Sequence, residues 1–181
     1  MNTEAFASSK IEKFFIRGIA PVMESRFRYR FFGPMRILRG ADIHPGQTVL
    51  EVGCGTGFFT FTAAQLIGDQ GSLVAMDVLA ASVEEVSRKV RLADLKNVRV
   101  VKGDALDTKL DPESMDAVLL FCVLPAPMLP LDRLLPEMHR ILKPGGTLAV
   151  WPPSWVPRSI PRSGLFKYVS KRNGVYNFSR S

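Results

Sequence analysis

Apolar positions along the chain fall into short continuous runs separated by segments of helical period. Residues 48–52, 72–76, 98–102, 115–123 and 147–151 read as strands. The fourth run is apolar almost throughout, as in a strand covered on both faces. Between these runs, residues 58–67 read as a helix closed by Gly68. Ser82 caps a second helix running to about Ala93, with Glu85 at the capping-box position. A third helix covers 128–142, with Leu131, Leu134, Leu135, Met138 and Leu142 on one stripe. Lys143-Pro144-Gly145-Gly146 stops it. Strands alternating with helices predict right-handed βαβ units, hence an α/β fold around a parallel sheet.

The flanks break this rhythm. Residues 10–39 show helical spacing in two pieces, interrupted at Pro21 and bent at Gly33-Pro34. The second piece interleaves arginines with aromatics, from Arg26 through Tyr29 to Phe32. Residues 152–161 carry four prolines and make no regular helix. Residues 166–172 and 175–178 then flank Asn173-Gly174, a two-residue hairpin signal. The expectation is five parallel strands followed by an antiparallel hairpin. Residues 1–40 are expected to cap a ligand-binding domain spanning 41–181, within one structural domain overall.

Composition narrows the class. A chain of 181 residues, 46% hydrophobic, is long enough for one ordinary core. No apolar run reaches the roughly 18–20 residues of a membrane span. Glu4 and Glu12 interrupt any leader-like N-terminus. Cys54 and Cys122 both fall in segments expected to be buried, which points to a reducing compartment, the cytoplasm. Neither they nor His44 and His139 have metal-ligand spacing.

The net charge of +7 is unevenly spread. Residues 1–40 hold 8 Lys/Arg against 3 acids, residues 41–150 hold 10 against 14, and residues 151–181 hold 6 against none. Two basic arms therefore flank a mildly acidic body. Solvation of exposed faces and attraction to an anionic partner are both open at this point.

The strongest chemical signal is Glu51-Val52-Gly53-Cys54-Gly55-Thr56-Gly57, an apolar strand running into three glycines and then a helix. Glycines let the backbone approach a ligand, and the helix start offers unbonded N–H groups. Phe58 stands where a dinucleotide loop would place its third glycine, and the Lys-Ser/Thr of a phosphate cradle is absent. Asp77, about 20 residues on, ends the second strand, where a carboxylate can accept both hydroxyls of a ribose. Asp104 follows the third strand and could accept from an adenine amino group. Each acid also has a plain reading as a turn residue.

In combination these segments resemble the class I S-adenosylmethionine-dependent methyltransferases. The first motif is residues 49–57; Asp77, Gly103-Asp104-Ala105, Met115-Asp116-Ala117-Val118 and residues 142–148 fall where that family places its later motifs. The likeness covers about residues 45–151 and, more loosely, is to the quinone and small-molecule branch. It implies a Rossmann-like three-layer sandwich with strand order 3-2-1-4-5-7-6. It also implies S-adenosyl-L-methionine as cofactor, leaving S-adenosyl-L-homocysteine as product. By the same resemblance, Glu51, Gly53, Cys54, Gly55 and Gly57 wrap the methionine part. Asp77 with Val78 holds the ribose, Asp104 with Ala105 the adenine, and Phe121 and Cys122 lie near the methyl group.

The acceptor is less legible. The segment Phe121-Cys122-Val123-Leu124-Pro125 lacks the Asn/Asp-Pro-Pro-Tyr/Phe motif of nucleic-acid amino-methylating enzymes and offers no evident general base. Cys122 is expected to be a core thiol rather than a nucleophile. Aromatics in the basic arms, with Tyr29, Phe32 and Trp155 joining Cys122 as candidate acceptor contacts, suit a lipid-like molecule at a membrane surface. An RNA or protein acceptor, or a non-catalytic cofactor-binding partner subunit, are the alternatives. The proline-rich stretch in place of the family's helix leaves the pocket open to a large substrate or to closure by a second copy.

Overall fold

The computed structural model describes residues 33–124, 129–151 and 159–181. In chain order the elements are α1 (Pro34–Leu38), β1 (Thr48–Val52), α2 (Thr60–Ile67), β2 (Ser72–Asp77), α3 (Ala80–Leu92), β3 (Val98–Lys102), β4 (Met115–Phe121), α4 (Leu131–Ile141), β5 (Leu142–Trp151), β6 (Phe166–Arg172) and β7 (Val175–Arg180). The seven strands form one sheet of order β3-β2-β1-β4-β5-β7-β6. The pairs among β1–β5 are parallel. β7 runs antiparallel to β5 and to β6. This is the expected Rossmann-like sandwich with its terminal hairpin.

Alternate residues of the central strands face opposite layers. Leu50, Val74, Val118, Leu120 and Leu148 pack against Leu134, Leu135, Met138 and Ile141 of α4. Val49, Leu73, Ala117, Leu119 and Ala149 pack beneath Ile37 and Leu38 of α1 and Ala63, Ala64 and Ile67 of α2. Val86 and Val90 of α3 cover Ala75 and Cys54. A sheet buried on both faces explains why these strands carry unbroken apolar runs.

Asp116 fastens the sheet edge opposite the glycine loop. Its carboxylate accepts from the Thr48 backbone N–H at 2.8 Å and from Lys143 Nζ at 2.7 Å. The residues expected only to stop α4 are drawn into β5. Leu142 pairs with Met115, the Lys143–Gly146 segment bulges, and Thr147 resumes the ladder opposite Ala117.

Several expectations are corrected. α3 begins at Ala80, so Ser82 lies buried inside its first turn and caps nothing. Asp77 Oδ1 accepts from the N–H of Leu79, the residue before the helix, at 2.9 Å, while Glu85 pairs with Arg88 and Lys89. The third long helix starts at Leu131, after Pro130. α2 starts at Thr60, and β7 continues to Arg180. Pro34–Leu38, grouped by sequence with the N-terminal cap, packs Ile37 and Leu38 into the core. Phe166 is also core, 2% exposed. β4 ends at Phe121, and Cys122 turns outward with φ 58°, exposed instead of buried. The rest of the proposed cap, residues 1–32, lies outside the described residues.

Candidate active site

The glycine loop, Asp77, Asp104 and Cys122 all follow the carboxyl ends of parallel strands. The order β2-β1-β4 places β1 where successive connections leave to opposite sides, and open α/β sheets bind ligands in the crevice at such a reversal. The loop after β1 folds over the end of β2, with Gly53 and Cys54 N–H both donating to the Met76 carbonyl, at 2.8 and 3.0 Å. Asp77 then grips the loop from below: its Oδ2 accepts from Gly55 N–H at 2.8 Å. Gly53 has φ 71°, and a Cβ there would stand 2.4 Å from Val123 Cγ1. Gly57 has φ 88°, and its Cβ would meet Phe61 Cε2 at 2.8 Å. The loop can take this path only with glycine at these points.

The floor of the crevice is a buried acidic cluster. Glu51 is 2% exposed and accepts from Thr60 Oγ1 at 2.6 Å. Burial pushes its carboxyl up to about 8; the Thr60 hydrogen bond opposes this and the nearby charge of Asp77 adds to it. Burial also raises Asp77, against the pull of backbone N–H groups at Leu79, Gly55 and Val78. The Cys54 thiol is pushed up by burial, then by Glu51 and Asp77, so it is held as a neutral thiol. Two carboxyl groups desolvated against each other form a site that favours a cationic ligand. Lys89 reaches across from α3 to donate to the Thr56 carbonyl at 3.1 Å, tying down the loop's far side.

The third acid is half-buried on the same rim. Gly103 N–H donates to the Asp77 carbonyl at 3.0 Å, bringing the turn after β3 alongside. Asp104 Oδ1 accepts from Leu106 N–H at 2.9 Å, so one oxygen shapes its own turn. Ala105 is 7% exposed and packs into the core beneath.

Opposite the loop, the ends of β4 and β5 make an aromatic wall. Phe59 meets Phe121 edge-on at 5.0 Å and Trp151 at 6.0 Å, and Phe121 lies 6.5 Å from Trp151. Cys122 N–H donates to the Trp151 carbonyl at 2.8 Å. The exposed Cys122 thus follows the wall directly, and Val123 abuts Gly53.

The structure therefore gathers Glu51, Gly53, Cys54, Gly55, Gly57, Asp77, Val78, Asp104, Ala105, Phe121 and Cys122 around one end of the sheet. Tyr29, Phe32 and Trp155 lie outside the described residues. Sequence reading missed Thr60, Lys89, Phe59 and Val123. Only Thr60 had a signal, as a hydroxyl near the start of a helix nine residues after Glu51. Among the described residues no cluster of three or more His, Cys, Asp or Glu forms a metal site. No described helix is long and apolar enough to cross a membrane.

Comparison with known proteins agrees with this geometry. A methyltransferase-domain family profile matches residues 43–172. The chain belongs to the class I S-adenosylmethionine-dependent methyltransferases. The cofactor of that family is S-adenosyl-L-methionine, and the glycine cradle and buried acids fit a ligand with a ribose and a cationic end. A demethylmenaquinone methyltransferase of Staphylococcus epidermidis is 31% identical over 136 residues, 74% of this chain and 52% of that protein. An arsenite methyltransferase of Halobacterium salinarum is 32% identical over 111 residues, 61% of this chain and 28% of that protein. The chain thus spans about half or less of the length of these relatives. A SAM-dependent methyltransferase structure from Aquifex aeolicus superposes with TM-score 0.71 at 24% identity, covering 88% of this chain and 94% of that one. At that identity the likeness concerns the fold.

Proposed function

We propose that the protein methylates a small, lipid-like acceptor using S-adenosyl-L-methionine. The observation that carries the acceptor class is Trp151, partly exposed where β5 ends and backed by the buried rings of Phe59 and Phe121. When bound, the cofactor supplies an electrophilic methyl group on a sulfonium.

The chain's own residues position and shield. Asp77 accepts from the ribose hydroxyls while keeping Gly55 in place. Asp104 takes the adenine amino group. Asp77, beside a Glu51 that burial keeps protonated, faces the cofactor's positive charge. The aromatic wall excludes water and orients the acceptor in line with the methyl group, and for a displacement of this kind alignment is the main requirement. The relatives are named for demethylmenaquinone, arsenite and, in a Streptomyces coelicolor structure, geranyl diphosphate. An apolar ring or chain is what the wall suits.

The test is transfer of labelled methyl from S-adenosyl-L-methionine to a panel of a naphthoquinol, a prenyl diphosphate, arsenite, RNA and a protein mixture. Transfer to the naphthoquinol or prenyl compound, lost in Trp151→Ala, supports the reading. Transfer confined to RNA or protein overturns it.

A further inference from the structure

The hairpin that completes the sheet returns its tip to the crevice. β7 runs antiparallel to β5, with Tyr176 opposite Val150, so the Asn173-Gly174 turn lies at the end of β5 beside Trp151. Asn173 and Gly174 have φ 48° and 81°, the left-handed pair of a tight two-residue hairpin. A Cβ on Gly174 would stand 3.1 Å from Trp151 Nε1 and 3.4 Å from its Cδ1. The backbone of the turn is thus a surface on which the indole rests. On its other side the indole meets the rings of Phe59 and Phe121, at 6.0 and 6.5 Å between centroids. Those two rings are buried, whereas Trp151 is partly exposed. Trp151 is therefore held between a packed core and the hairpin tip, and the direction left open to it is toward solvent.

The tip is tied down more firmly than a hairpin turn needs to be. Asn173 Nδ2 donates to the Arg36 carbonyl of α1 at 2.8 Å, and the buried Asn177 Nδ2 donates to the Gly40 carbonyl at 2.7 Å. Gly40 packs so closely that a Cβ there would fall 2.2 Å from the Arg172 carbonyl oxygen. Arg172 also pairs with Asp42 at 3.1 Å. α1 is anchored in turn by Ile37 and Leu38, which lie in the core. If a side chain were placed at position 174, the indole would give way before the turn did.

We propose that Asn173 and Gly174 are positioning residues for the acceptor: the tied turn fixes the pose of Trp151, and the missing side chain at Gly174 sets where the indole face lies. A ring or chain stacking on that face binds best when the face is already in position, because ordering it on binding costs affinity. The close approaches at two glycines then divide the crevice. Gly53 shapes the methyl-donor loop, and Gly174 shapes the acceptor side. This assignment rests on the function proposed above, in which Trp151 meets the acceptor.

The test uses the full chain in a Trp155→Phe background, where Trp151 is the sole tryptophan. Gly174→Asn adds a side chain while keeping a residue that tolerates the left-handed backbone, so the turn persists and the indole must move. It should shift Trp151 emission to the red and raise its quenching by acrylamide. KM for the acceptor probe, a naphthoquinol or geranyl diphosphate, whichever the background chain methylates, should rise at least about tenfold. kcat and the calorimetric affinity for S-adenosyl-L-homocysteine should stay as in the background chain. Asn173→Gly keeps the turn but loses the bond to Arg36; it should raise KM in the same direction and speed the anisotropy decay of Trp151, and it decides the matter if Gly174→Asn does not fold. With Trp151→Phe the smaller ring leaves room, so adding Gly174→Asn should cost nothing further. A hairpin that serves stability alone would lower the melting temperature and leave KM and emission unchanged. That result, or KM losses that add across Gly174→Asn and Trp151→Phe, would overturn the proposal and leave the proposed function standing. Transfer to neither probe by the wild-type chain would instead contradict the proposed function, and this assignment with it.

Discussion

Thr60, the first residue of α2, donates a 2.6 Å hydrogen bond to the buried carboxyl of Glu51 at the end of β1. The bond ties the start of the helix to the strand that delivers the glycine loop. It also supplies a hydrogen-bond donor to an acid from which burial has stripped water. One hydrogen bond does not offset that loss, and Glu51 keeps its proton up to about pH 8.

Glu51→Gln should therefore stabilise the chain at neutral and alkaline pH. Below pH 4.5 folded and unfolded chains both hold the proton; between 4.5 and about 8 the unfolded chain releases it and the folded chain retains it. Stability falls as pH rises through that window. Melting curves at pH 8 should place the variant several degrees above wild type, where about 1 kcal/mol corresponds to roughly 2–4 °C. The difference should vanish near pH 4. A gain that persists unchanged at pH 4 would assign the effect to packing.

Asp77→Ala removes the acceptor for both Gly55 and Leu79 N–H groups. Unsatisfied buried donors cost about 1–3 kcal/mol, so the variant should melt lower and bind the cofactor at least about tenfold more weakly. Asp77→Asn keeps one acceptor oxygen and should fall between. Calorimetric titration of both variants, showing cofactor affinity equal to wild type, would remove Asp77 from the site.

Gly53→Ala asks an alanine to hold φ 71° with its Cβ 2.4 Å from Val123. The left-handed conformation alone costs about 1–2 kcal/mol. Cofactor affinity should fall more than stability does, because the strain is relieved by moving the loop. Pairing it with Val123→Ala should recover part of the affinity. Denaturant titration together with calorimetry separates the two effects.

Cys54 and Cys122 should differ sharply toward a maleimide. Cys122 is exposed, while Cys54 is buried with its thiolate disfavoured by Glu51 and Asp77. Mass spectrometry of the native chain should find one label, on Cys122. Prompt labelling at both positions would contradict the packing beneath the loop.

The fold was readable because its pattern is local. Apolar runs of strand length, spaced by helical periods, specify the parallel core, and Asn173-Gly174 announces the hairpin. The glycine loop and Asp77 were readable because backbone approach and a carboxylate after β2 need particular residue types at fixed spacing. What escaped depends on contacts distant in sequence. Nothing local marks Val123 as the neighbour of Gly53, or Asn177 as the partner of Gly40. Cys122 was expected inside the sheet because its neighbours Phe121 and Val123 are apolar, yet the chain leaves β4 there with a positive φ. Ser82 had the right residue type for a cap, but the helix begins two residues earlier, at Ala80, directly after the turn in which Asp77 accepts from Leu79 N–H.

The most direct test is calorimetric titration of the intact chain with S-adenosyl-L-methionine and S-adenosyl-L-homocysteine. The structure calls for saturable one-to-one binding of both, weakened in Asp77→Ala and in Gly53→Ala while circular dichroism shows each variant folded. A folded wild-type chain that takes up neither ligand at millimolar concentration would contradict the assignment of the crevice between β1 and β4 as a methyl-donor site.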